Sequence, residues 1–593
     1  FSIKSEDSLK CIVAFPLRTL LEDQYGKFVE DEIKERNGEK YEKTSILGKV
    51  DYNLRTDVIG KRYMHNPDSR YLIKPITLTT VDTLALTLLG IPPECIDKVV
   101  RAWDGTIGGS LGHYLFSWGS VVFSNIVLDE VHLLADSTKS LSFLIALMKI
   151  AKDFDQKLIL MSATLPEALK SVIREYFPEE EIEFIEFDIN DDPAFYGERI
   201  KKKYDIILEE GTDQDKFERI LSWIKENKEL SKVIVMFNTV QEAIDFYNKT
   251  YNELREIFGD NIVLLHSRFS ERDREKKIEK IQNLKDKYLI ISTQVIEAGV
   301  DISSNLFITD MAPANSLIQR LGRFLRYPNE RKGMVIIWYE TDEDGKLRVT
   351  KKIRENRRNE EKSATYKVYD YDLTSRTLNW LKKHSDEKDD KCYIKLNVHL
   401  PEVRDSDKRG YKELLNYVYD EEKKDEYFKV NEETIRDFEG IFLHLENASL
   451  IAVEKFLEME GSFVRDELQI PVVSKIKIDE FKNTEGIINE SPIDFVRKYT
   501  VPIAFNSFKR KDQREFEVYG VVITETEVRE GGKKKIKPKF VAKDDDSWLL
   551  SILERRDVQP RDILRYIFAR DVLAFVIDAE YDENLGLRFG KHD

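Results

Sequence analysis

The chain has 593 residues, a formal net charge of −16, a hydrophobic fraction of 41% and an aromatic fraction of 11%. That length exceeds what one core organises, so roughly two to four domains are expected, and the apolar content excludes disorder over most of the chain. The acidic total excludes a surface coated throughout for polyanions, though a local basic track is enough because phosphate attraction is screened beyond roughly 10 Å. No apolar run has the length to cross a bilayer, and Phe1-Ser2-Ile3-Lys4 is not a signal peptide. Cys11, Cys95 and Cys392 lie too far apart for a metal site or a disulfide framework. The cysteine pattern fits a reducing, cytoplasmic setting, and the Lys/Glu bias of the 34% charged residues leans towards a thermophilic source.

In chain order, the apolar runs Leu9–Phe15, Ser124–Leu128 and Lys157–Met161 form one series. Lys232–Phe237, Asn261–Leu265, Tyr288–Ser292 and Gly333–Trp338 form another. Apolar runs separated by amphipathic stretches predict parallel strands buried on both faces. The expected fold class is α/β, with two parallel-sheet domains in tandem (residues 1–195 and 196–340), a charged linker or exposed helix (341–364) and a C-terminal α+β accessory domain (365–593). Helices are expected around Leu373–Lys383 and Glu432–Glu460. A hairpin is expected from Phe516–Ile523 through Gly531-Gly532 into Lys533–Phe540. The lysine run 533–539 either touches DNA or is a solvated hairpin tip.

The candidate functional residues sit at the ends of the predicted strands. Phe15-Pro16-Leu17-Arg18-Thr19-Leu20 follows the first strand and Thr77–Thr83 follows a later one. Arg18, Thr19, Thr79, Thr80 and Asp82 at helix N-termini suit phosphates rather than bases; plain helix capping is the bland alternative. Asp129-Glu130-Val131-His132 comes directly after an apolar strand, where ligands sit in open α/β sheets. There Asp129 can hold Mg²⁺ through water and Glu130 can deprotonate an attacking water, while a solvated acidic loop is the alternative. Ser162-Ala163-Thr164 follows the next strand, and with His132 it reads as the coupling element. In the second series Asn238 and Thr239, Ser267 and Arg268, and Thr293 and Gln294 place small polar or basic groups near a phosphate backbone. Gly299 permits close backbone approach, and Asp301 faces the ribose or the arginines. Gln319-Arg320-Leu321-Gly322-Arg323-Phe324-Leu325-Arg326 repeats arginine every third residue, so on a helix the guanidiniums line one flank and await an anion. Gln319, Arg320, Arg323 and Arg326 are the catalytic candidates here, with Arg323 and Arg326 as arginine fingers on a transferring phosphoryl group.

Taken together, Thr80-Val81-Asp82, Asp129-Glu130-Val131-His132, Asn238–Ala243, Leu265–Arg274, Thr293–Glu297 and Ala312–Arg323 resemble the CRISPR-associated superfamily 2 (DExH) helicase of type I interference systems. The resemblance spans residues 10–340. It implies two RecA-like domains, ATP and Mg²⁺ as cofactors, and 3′→5′ movement on single-stranded DNA. It also implies recruitment by a crRNA-guided surveillance complex that has displaced the non-target strand, with no membrane partner.

Two departures qualify the match. The eight histidines are scattered, and the sole His-Asp pair, His592-Asp593, is terminal. A helicase-only form is therefore expected, working with a separate HD nuclease subunit. None of the Gly-Lys pairs (at 26–27, 48–49, 60–61, 345–346, 532–533 and 590–591) is followed by Ser or Thr, so no P-loop is present. The expectation is that the sequence starts inside the first domain. The alternatives left open are a DExH helicase of repair or RNA metabolism, and a non-hydrolysing DNA-binding clamp or scaffold.

Overall fold

A computed structural model describes residues 10–589 apart from 37–38, 44, 64–65, 67, 94–95, 104, 106–113, 213–214, 298, 353–363, 405, 444, 511–513 and 529–533. The chain divides into two compact units. One contains Phe1–Ala163, Arg268–Asp273 and Phe428–Asp593; the other contains Thr164–Ser267 and Arg274–Tyr427.

In the first unit five parallel strands run in the order Ile59–Arg62, Ile76–Thr80, Lys10–Phe15, Ser124–Leu128, Leu158–Leu160. Ile12, Ala14, Ile126 and Leu128 are fully buried, as their place in interior strands requires. Thr77–Thr80 lies within a strand rather than after one. The Ile-Thr-Leu-Thr-Thr run is β-branched, and its threonines are buried along with Leu78 because helices or neighbouring strands cover both faces.

The helix Thr138–Asp153 begins at Ser137, whose Oγ accepts from Ser140 N at 3.2 Å. Leu141–Met148 is buried along its whole length, which an all-apolar helical run demands. Against it packs Glu432–Leu443, with Phe143 and Phe438 edge-on at 5.8 Å and Phe438 and Phe463 at 5.6 Å. The rest of this unit holds a mixed sheet ordered Val501–Ala504, Gln469–Ser474, Val572–Ile577, Val518–Val528, Lys534–Ala542. Val518–Val528 and Lys534–Ala542 form the expected hairpin; its Gly531-Gly532 tip lies outside the described residues. Lys535, Ile536 and Lys537 therefore sit on an edge strand, where lysines discourage edge-to-edge pairing.

In the second unit the sheet order is Ile262–Leu265, Tyr288–Ser292, Lys232–Met236, Leu306–Asp310, Lys332–Glu340, Lys203–Gly211, Lys391–Ile394, Ser385–Lys388. The first six strands are parallel, and the last two add an antiparallel hairpin to the edge. Val240–Phe258 is one crossover helix. It starts with a capping box in which Thr239 Oγ1 donates to Glu242 Oε2 at 2.9 Å and accepts from Glu242 N.

The unit boundaries differ from those drawn on the sequence. Lys203–Gly211 is an interior strand of this sheet. Residues 364–394 belong with the second sheet, because Lys391–Ile394 pairs with Lys203–Gly211 and extends it. Of the expected linker, 353–363 lies outside the described residues, and Lys351–Lys352 pairs with Ala364–Tyr366. Among the described residues no helix is long and apolar enough to cross a membrane.

Candidate nucleotide and nucleic-acid sites

The Ser124–Leu128 strand carries Asp129 to its C-terminal end, where Asp129 N donates to Ala14 O at 3.0 Å. Val131 N donates to Met161 O and Met161 N to Leu128 O, so the acidic loop is tied to the strands on both sides. The Asp129 carboxylate accepts one bond, from Glu130 N at 2.9 Å, and burial pushes its pKa up against that bond. Glu130 adopts φ 50°, ψ 44°. For a non-glycine residue this left-handed conformation costs about 1–2 kcal/mol, the kind of strain that persists at functional sites. His132 is 4% exposed, and its Nδ1 lies 3.0 Å from Ser162 Oγ and 3.4 Å from Glu130 Oε2. The structure thus gathers Asp129, Glu130, His132, Ser162 and Ala163 at the ends of two adjacent strands. Thr164 opens the second unit and is buried.

The other candidates of the first unit are less uniform. Arg18 stacks on Tyr63 at 4.3 Å and pairs with Glu271, which also accepts from Arg497 Nε at 2.6 Å. Thr19 is half-buried beside it. Arg268 lies over the Phe589 ring at 4.9 Å. Thr79 is fully buried and donates to Arg62 O at 2.8 Å, so its hydroxyl is turned into the sheet, away from any phosphate. Thr80 caps the helix Val81–Leu88 by accepting from Thr83 N. Asp82 is engaged by Arg465 Nε at 2.7 Å and Ser462 Oγ at 3.0 Å.

In the second unit Asn238 N donates to Asp310 Oδ2 at 2.9 Å, and Asn238 Nδ2 to Met311 O at 2.8 Å. Gln294 Nε2 donates to Asn238 O at 2.9 Å, which joins two candidate segments through one carbonyl. Thr239 is the helix cap described above, Thr293 is buried, and Ser267 is exposed. Gly299 has φ +83°, a conformation that glycine adopts without strain.

The arginines do not line one flank. The helix ends at Leu321, and Leu325 takes φ 44°, which swings the following residue outward. Arg320 is 0% exposed: Nε donates to Glu297 Oε1 (2.8 Å), Nη1 to Thr309 Oγ1 and Asp310 O, and Nη2 to the Tyr369 hydroxyl (2.7 Å). A guanidinium so fully engaged is part of the framework; the expectation that it acts directly on a ligand does not match its burial. Arg323 is 8% exposed and donates to Ile296 O and Glu297 O. Arg326 is exposed and pairs with Asp301 Oδ1 at 3.0 Å. Gln319 is half-buried on the same helix. Sequence reading missed Asp310, Lys216, Lys367 and Tyr369, which frame these arginines. Scattered lysines and tyrosines carry no motif.

Comparison with known proteins agrees with this geometry. Residues 229–329 match the family model described as CRISPR-associated nuclease/helicase Cas3, C-terminal. The chain is 26% identical over 554 residues to the Cas3-type nuclease/helicase of Methanocaldococcus jannaschii, covering 87% of this chain and 66% of that protein. It is 26% identical over 339 residues to the CRISPR-associated nuclease/helicase Cas3 of Methanothermobacter thermautotrophicus, covering 54% and 35%. The chain thus spans less than two thirds of the length of either relative. The crystal structure of T. fusca Cas3 superposes with a TM-score of 0.53 at 15% identity, covering 86% of this chain and 60% of that one, and shares its tandem RecA-like fold. Its motif residues lie at the strand ends of two such sheets, and residues 229–329 are similar to the C-terminal part of CRISPR-associated nuclease/helicases of the Cas3 type.

Proposed function

We propose that this chain carries the motor of an ATP-driven helicase of type I CRISPR interference, moving 3′→5′ on single-stranded DNA. The strand is the one displaced by a crRNA-guided surveillance complex, and a separate HD nuclease subunit cuts it. The observation that carries the reading is the strained Glu130 beside the desolvated Asp129 carboxylate, at the end of a buried parallel strand.

Glu130 is the proposed base: its carboxylate takes a proton from the water that attacks the γ-phosphate of ATP. Asp129 is the residue that would hold Mg²⁺, through water. It fits, because a half-buried carboxylate with a single hydrogen bond gains most from a divalent cation. When bound, the ion neutralises charge on the phosphates. Arg326, held by a partly exposed pair worth about 0–1 kcal/mol and a 3.4 Å bond from Nη1 to Gly322 O, is proposed to move to the transferring phosphoryl group at little cost. Arg323 is the second proposed finger. Ser267, Arg268, Arg18 and Thr19 are proposed to position the DNA backbone without reading bases. The 593 residues contain no Gly-x-x-x-x-Gly-Lys-Ser/Thr segment, so the activity is proposed for the protein expressed from its full reading frame.

Strand polarity tests the reading. Duplexes with a 3′ or a 5′ single-stranded tail should be unwound with ATP only when the tail is 3′. Equal unwinding of both, or preference for an RNA tail, would overturn it.

A further inference from the structure

Outside every segment with a motif, the short hairpin Ala364–Asp370 presses into the second sheet beside the arginine-bearing helix. Ala364–Tyr366 pairs with Tyr369–Asp370, and Lys367 turns the chain at φ +54°. Tyr366 is fully buried, and the Lys367 and Tyr369 side chains also reach inward. Lys367, 6% exposed, stands between Glu242, Glu340 (2.9 Å) and Asp310 (3.6 Å). Lys216 reaches the same Asp310 at 2.5 Å and Glu242 at 2.9 Å, so two lysines are shared among three carboxylates. Tyr369 accepts from Arg320 Nη2 at 2.7 Å, and its hydroxyl lies 3.3 Å from Glu297 Oε1, to which it donates. The Arg320 guanidinium also lies 5.4 Å from the Tyr369 ring centroid.

We infer that Tyr369 is a positioning residue for the arginines, acting through Glu297, with Lys367 as the second anchor of the same hairpin. The path is short. Arg320 and Tyr369 fix the Glu297 carboxylate from two sides. The backbone carbonyls of Glu297 and Ile296 in turn hold the Arg323 guanidinium. Gln294, one turn earlier, ties the same loop to Asn238, and Asp310 ties Asn238 to the lysine cluster. A phenylalanine would fill the Tyr369 volume equally well. The variant therefore loses the hydroxyl's bonds, those with Glu297 and Arg320 included, which brace the loop whose carbonyls hold Arg323. Hydrogen-bonded supports of this kind commonly change rate by tenfold or more when removed.

This inference rests on the motor reading above, so its test is arranged to separate the two. In the full-length protein, with saturating single-stranded DNA and Mg²⁺, Tyr369→Phe should lower kcat for ATP hydrolysis about tenfold. KM for ATP should stay within about twofold, the split expected when a group acts only in the transition state. Its thermal unfolding temperature should stay within about 2 °C of the parent. Glu297→Gln should lower kcat similarly, and the double variant should be no slower than the worse single one, because both act on one element. An unchanged kcat, or a fall in unfolding temperature alone, would overturn the inference. Arg326→Ala is the reference: if it is inactive while Tyr369→Phe turns over normally, only this inference falls. If Arg326→Ala also hydrolyses ATP normally, the motor reading falls with it.

Discussion

His132 and Ser162 meet side chain to side chain, Nδ1 to Oγ at 3.0 Å, and so join the loop after one strand to the segment after the next. Glu130 Oε2 lies 3.4 Å from the same imidazole nitrogen, which puts the proposed base one bond from the link. A change at Glu130 therefore has a direct route through His132 to Ser162.

Ser162→Ala removes this link without touching the carboxylates. Hydrolysis should stay within about threefold of the parent while unwinding falls about tenfold, a size ordinary for coupling between sites. Parallel measurements of ATP turnover and of strand separation on a 3′-tailed duplex decide it; equal losses in both would assign Ser162 to chemistry.

Glu130 carries its function at a cost in stability. Glu130→Gln should abolish turnover and leave nucleotide binding within about threefold, since only the proton acceptor is lost. Glu130→Gly should be equally inactive yet unfold with about 0.5–1 kcal/mol more resistance to urea, because glycine adopts φ 50° freely. A destabilised Glu130→Gly variant would show that the conformation is not strained.

The arginines should separate by burial. Arg320→Ala leaves Glu297 uncompensated in the interior and should cost about 3–5 kcal/mol of stability, read from denaturant unfolding. Arg326→Ala breaks a partly exposed pair and one long bond to Gly322 O, and should change stability by less than about 1 kcal/mol. Its effect should appear in hydrolysis, as a loss on the order of 10³-fold.

Asp310 makes stability depend on pH. Burial pushes its carboxyl up, but Lys216 and Lys367 outweigh burial and hold its pKa down at about 2. Its folded pKa lies below its unfolded one, so the stabilisation is present above about pH 4 and is lost as the pH falls towards 2. The gap in urea midpoint between the parent and Asp310→Asn should be widest near pH 5 and narrow steadily towards pH 2.5; a constant gap would contradict the pairing.

Much of this was legible in the residues. Ser124–Leu128 and Tyr288–Ser292 appear as strands with the limits their apolar runs give, because a doubly buried parallel strand has no other way to satisfy such a run. The acidic loop lies at a strand end, as strand-then-acid order implies. Leu306–Asp310 was not read as a strand, although it is fully buried in the sheet, because Leu-Phe-Ile-Thr-Asp is too short to separate from a buried helix. The arginine repeat misled because spacing of three assumes a continuing helix, and Leu325 ends that geometry with a left-handed residue. Tyr369 and Lys367 carry no local signal. Their role comes from a hairpin meeting the C-terminal ends of two interior strands, Leu306–Asp310 and Lys332–Glu340, which only tertiary packing creates.

The most direct test of the account is ATP turnover by the full-length protein with Mg²⁺, with and without single-stranded DNA. The account predicts slow hydrolysis that rises at least tenfold on adding DNA and disappears in Glu130→Gln. Tight nucleotide and DNA binding with no turnover under any of these conditions would contradict it, and would make the chain a clamp rather than a motor.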